Sequence, residues 1–259
     1  MQQFELNLMK FINPLFLFLS CSFLYSQTKK NVDHQNLLWT RYYNHLTLTE
    51  KWSAHSEFDN RIFINPVVQN LYLIRFQGRY KINPKIEIGA GVSYFSVATQ
   101  DSEINTAFNV PEYRIQQDIT WKRDLKKFTV LQRFQIEQRF FHNANKVELL
   151  PGTTFNWRFR YKIQGECNFW KKEDLFLKAI LYDELMINAG ANIVHNTFDQ
   201  NRIYAALQYG INKNIALELG YLDSFQQRAS GVDYFDRDII RFTFFHKINV
   251  QEKHKERLN

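Results

Sequence analysis

The sequence has few of the residues that break or staple a chain. Its 259 residues include 9 Gly, 5 Pro and 2 Cys. So little Gly and Pro excludes collagen-like and low-complexity architectures. Two cysteines exclude a disulfide framework. Only Cys167 remains once residues 1–26 are set aside, which excludes a multi-cysteine metal site. Long hydrophobic runs are missing as well: beyond residue 26 no stretch of about 18 apolar residues occurs, so no transmembrane helix is expected. The net charge of +7 is spread along the chain rather than gathered into a basic run, which argues against nucleic acid as a partner. Catalytic signatures are equally scarce. There is no Gly-x-Ser-x-Gly, no His-Glu-x-x-His and no phosphate-binding Gly loop. The seven histidines, His142 and His195 on predicted long loops among them, stand in no recognisable spacing with Ser or Asp. No catalytic, metal or cofactor-binding residue is therefore assigned, and no cofactor is expected.

What the chain does have is aromatics, with 24 Phe, 13 Tyr and 5 Trp, and an export signal. Met9-Lys10 precedes an apolar stretch from Phe11 to Leu19, followed by small residues up to Ser26. A basic start, an apolar core too short to span a bilayer and a small-residue end read as a cleaved secretory signal peptide. Residues 1–26 are assigned to it, with 1–8 as an upstream extension and either Met1 or Met9 as the true start.

After the signal, apolar and polar residues alternate with period 2. In Glu112–Trp121 one face carries Glu112, Arg114, Gln116, Asp118 and Thr120, and the other Tyr113, Ile115, Ile119 and Trp121. A strand sends successive side chains to opposite faces, so this pattern predicts β structure. It recurs in Phe128–Phe140, Phe155–Ile163 and Ile239–Ile248. Weaker versions cover Leu38–Leu48, Trp52–Phe63, Leu71–Ile82, Ile86–Phe95, Leu175–Met186, Arg202–Ile211 and Ile215–Leu222. That makes 11 candidate strands. Short turns (49–51, 83–85, 123–127, 212–214) alternate with longer loops (96–110, 142–152, 187–198, 224–234), as in outer-membrane barrels. Single-chain bacterial barrels have even strand numbers, so 12 strands are expected, with 10 as the alternative.

The aromatic faces decide which way such a barrel is turned. Bulky rings recur strand after strand and would overfill a small barrel if they pointed inward, whereas facing lipid they have room. The expected fold is thus all-β: an antiparallel up-and-down transmembrane β-barrel over residues 27–250, with a polar tail at 251–259. Its lumen should carry a ladder of charges comprising Glu57, Arg61, Arg75, Arg79, Glu112, Arg114, Arg133, Glu137, Arg139, Arg158, Arg160, Glu184, Arg202, Glu218 and Arg241. Both signs are present, which favours ion pairs bracing the barrel over an open pore. Arg133, Glu137, Arg139, Arg158, Arg160, Glu112 and Arg114 are expected to form one network, with Phe134 and Phe159 facing lipid.

These residues also carry a resemblance. Trp39, Glu57 with Arg61, Arg75 with Arg79, Glu112-Tyr113-Arg114 and Arg133–Glu137–Arg139 occur in order. They are followed by Arg158-Phe159-Arg160-Tyr161, Tyr182-Asp183-Glu184, Gln200-Asn201-Arg202 and Leu219-Gly220-Tyr221. The series resembles a group of Bacteroidota outer-membrane barrels known as domain of unknown function 2490, over about residues 36–250. The resemblance implies an outer-membrane location and no particular activity. The expected role is a structural or narrow-pore barrel that is not an enzyme. Its partners would be outer-membrane lipid and the barrel assembly machinery, as a monomer, with any small-molecule ligand open. The alternatives are an outer-membrane lipid-modifying enzyme such as a hydrolase, and a secreted soluble ligand-binding barrel.

Overall fold

A computed structural model describes residues 30–250, apart from 102, 104–107 and 146. The predicted signal peptide and polar tail lie outside the described residues. The chain forms 11 strands: β1 (Asn31–Thr47), β2 (Trp52–Phe63), β3 (Val68–Asn83), β4 (Ile86–Val97), β5 (Val110–Leu125), β6 (Phe128–Ala144), β7 (Leu149–Lys172), β8 (Leu175–Ala189), β9 (Phe198–Gly210), β10 (Ile215–Gln227) and β11 (Asp233–Asn249). Each pairs with its sequence neighbour, and β11 returns beside β1 to close a barrel.

The count is 11, between the expected 12 and 10, and it has a geometric consequence. Strands that alternate in direction around an odd-numbered ring must meet one neighbour running the same way. That seam lies between β1 and β11. Arg237 donates to Gln35 and Asn44 donates to the carbonyl of His246, both across a sequence separation of 202. Tyr42 against Phe244 and Tyr43 against Phe245 keep the same separation. A constant difference in number, rather than a constant sum, marks parallel strands. The barrel is therefore mixed, with ten antiparallel contacts and one parallel seam. No strand precedes β1 among the described residues. The stretch 31–37, which lacks alternation, is the first part of β1 itself.

Strands run past the ends of their alternating segments. β6 and β7 continue to a hairpin at 145–148, where the sequence predicts a loop over 142–152. The connections still sort by rim. The turns at 48–51, 84–85, 126–127, 173–174 and 211–214 share one rim, and those at 64–67, 98–109, 145–148, 190–197 and 228–232 share the other.

The outer surface is apolar. Phe76, Tyr113, Phe134, Tyr161, Leu181, Leu207 and Leu219 all point out, and the rings of Phe134 and Phe159 stack on that face. Trp52, Trp121, Phe128 and Trp170 ring the short-turn rim, while Tyr72, Tyr94 and Tyr113 lie toward the other. On β5, Tyr113 and Trp121 are eight residues apart on one face. At about 3.3 Å per residue and a tilt of about 40° they are separated by roughly 20 Å along the barrel axis, close to the height of a membrane barrel's apolar band. The inside holds mainly charged and polar side chains, with an apolar and aromatic cluster that includes Leu37, Trp39, Phe63, Tyr204, Leu222 and Ile239. This is the reverse of a soluble barrel and the architecture of a transmembrane one.

Candidate functional site: the charged lumen

Strand register brings the inward-facing charges together. On β5 and β6, Arg114 lies directly opposite Arg139, a repulsive pair if left alone. Two carboxylates beside them resolve the conflict. Glu112 accepts from Arg114 at 2.6 Å and from Arg139 at 2.7 Å, and Glu137 accepts from Arg114 at 3.4 Å. Glu137 also takes Arg158 at 2.5 Å and Arg160 at 2.7 Å. Arg160 reaches on to Glu184 at 2.7 Å, which holds Arg133 at 2.6 Å, and Arg158 reaches Asp199 at 3.0 Å. All seven residues expected to form one network are connected, and the network extends through Glu184 and Asp199 into β8 and β9. Glu137 is fully buried and serves three arginines. Such sharing is what makes closely packed guanidinium groups tolerable in a confined space.

Smaller clusters complete the wall. Asp59 accepts from Arg41 at 2.6 Å and Arg61 at 2.8 Å, and Glu57 accepts from Arg75 at 3.1 Å and Arg41 at 3.3 Å. Arg79 joins Glu87 and Asp118. Glu218 accepts from Arg241 at 3.1 Å and from the Tyr204 hydroxyl at 2.7 Å. At the long-loop rim, Arg237 has neutral partners: Gln35, Gln226 and the carbonyl of Gln100 in the 98–109 connection. Gln35 also donates to that carbonyl, so the connection is latched to the seam.

Arg202 is the exception. Its cross-strand neighbour is Glu184, whose oxygens are already taken by Arg160 and Arg133. No hydrogen bond or ion pair is found for it among the described residues, and its Nε is buried without a partner. Its guanidinium lies 5.3 Å from the ring centre of Trp39, which Arg61 covers at 3.7 Å. The buried Trp39 Nε1–H is also without an acceptor.

Beside the network runs a cavity of about 1090 Å³. Its lining reaches Asn196, Arg228 and Ala229 on the long-loop rim, and Lys213, Asn214 and Asn249 on the short-turn rim. Sixteen lining residues are Arg or Lys and six are Asp or Glu. Glu137 and Asp59 lie behind the surface rather than on it, because their arginines cover them.

A family model described as "Protein of unknown function (DUF2490)" matches residues 36–235. The chain belongs to that family. No curated protein sequence matches it. A solved NanC porin aligns with a TM-score of 0.47 at 13% identity, over 76% of this chain and 91% of that one.

In this DUF2490 chain all 15 predicted lumen residues point inward, and 14 have an ion-pair partner, Arg202 being the one without. Several further lumen residues escape the sequence reading. Arg41 and Asp59 lie on alternating segments, two residues from Trp39 and Glu57, and period 2 alone would have found them. Asp199 and Arg237 sit on strand extensions where no alternation marks a face.

Proposed function

We propose that the chain resides in the outer membrane of a Gram-negative envelope and forms a narrow passage for small anions. The carrying observation is the cavity that touches both rims and is lined by 16 cationic against 6 acidic residues. Sequence counting suggests near balance and hence a plain brace. Shared pairing changes that result, because Glu57, Asp59, Glu112, Glu137 and Glu184 are each covered by two or three arginines and the lining of the cavity is left with more cations than carboxylates. Positive walls in a low-dielectric confinement concentrate anions and repel cations. The apolar exterior supports lipid contact, and the reading takes the chain as a monomer inserted by the barrel assembly machinery.

The test is electrical. Membrane retention through carbonate washing is checked first, and the folded chain is then reconstituted in a planar bilayer under a KCl gradient. The expected reversal potential has the sign of chloride selectivity. Cation selectivity would overturn the reading. An intact barrel that conducts nothing would select a second one, a structural barrel sealed by its ion pairs, which the extended Glu137 network favours.

A further inference from the structure

We propose that Arg202, with Arg61 and the Trp39 Nε1–H, forms a binding station for a small oxyanion, a carboxylate or phosphate, inside the lumen. The proposal rests on the anion-passage reading for access, but its observations are local.

Burying a guanidinium without a counter-charge is costly, and the other predicted lumen arginines avoid that cost by pairing with a carboxylate. Arg202 cannot, because Glu184 beside it already serves two arginines. Two neighbouring donors here have no partner: the Nε–H of Arg202 and the indole N–H of Trp39. Arg61 and Arg202 both approach the Trp39 ring, at 3.7 and 5.3 Å. With Glu184 and Asp59 already taken by other arginines, the donors left over at Arg202 and Trp39 select an acceptor-only ligand with delocalised negative charge. Planar guanidinium groups match carboxylate and phosphate oxygens in a bidentate way, which a spherical halide cannot exploit.

The aromatic surroundings limit the size of the guest. Arg61 covers Trp39, and Arg241 covers the Tyr204 ring at 3.8 Å. These two ring faces are occupied by guanidinium groups, so the station recognises the charged head of a solute rather than stacking on its body.

Titration calorimetry of the folded full chain in detergent tests the station, with inorganic phosphate and acetate as separate probes and chloride as the control anion. Saturable binding of phosphate, acetate or both, tighter than that of chloride, is expected. Which probe binds tighter assigns the head group. Arg202→Gln should weaken binding by at least about tenfold, the equivalent of one charge-assisted hydrogen bond. Trp39→Phe, which keeps the ring and removes the N–H, should weaken it by about threefold and stands in if Arg202→Gln does not fold. Binding that chloride matches, or that neither variant changes, would overturn the station. Because binding is read without a membrane, a barrel that binds phosphate but conducts nothing would remove the passage reading and leave the station standing. Chloride selectivity with no oxyanion binding would do the opposite.

Discussion

Individual side chains in this barrel differ most in how many partners share them. Glu137 carries three arginines with no exposure to solvent. Glu137→Ala leaves Arg114, Arg158 and Arg160 facing one another and should cost on the order of 3 kcal/mol in barrel stability. Glu137→Gln, which keeps the acceptor oxygen, should cost less. Urea unfolding followed by heat-modifiable gel migration would measure both, and equal costs would show that charge rather than hydrogen bonding is what matters. On the opposite face, Phe134 is exposed on the apolar exterior and stacks on Phe159. Phe134→Arg should cost about 2–4 kcal/mol if it lies near the bilayer midplane, measured by the same unfolding assay. A tolerated Arg there would reverse the assignment of faces. The inward direction of the arginines was readable from alternation. Pairing was not, since nothing in the sequence tells which two arginines claim Glu184 and which, Arg202, goes without.

At the level of strands, alternation exposed every element, but only over the stretch where the two faces meet different media. Beyond the apolar band both faces meet water or loops, and the period-2 signal ends while the backbone ladder continues. That is why β7 covers Leu149–Lys172 although alternation marks only Phe155–Ile163, and why Asp199 and Arg237 were missed. The even-number rule also misled. It called for a twelfth strand, whereas the parallel seam closes a ring of 11. The seam can be checked directly. Cysteines introduced by Tyr42→Cys and Phe244→Cys, which replace stacked rings with centroids 5.9 Å apart, should crosslink with a short bifunctional reagent and hold the closed barrel on a denaturing gel. Pairing Tyr42→Cys with a cysteine at Asp236, toward the opposite end of β11, should not. The reverse result would mean antiparallel closure.

Taken whole, the molecule is a wall that is apolar outside and braced inside, with a cationic channel beside the brace. Ten of its strand contacts join sequence neighbours and can zip up as local hairpins, with little loop entropy to overcome. The remaining contact joins residues 202 apart, such as Asn44 and His246, and none of it can form until the rest of the sheet has curled round to bring the two edges together. Until then β1 and β11 each present a bare edge able to pair with any passing strand. The slow moment in this protein's assembly, and the moment at which it is most exposed to a wrong neighbour, is therefore the meeting of its first strand with its last.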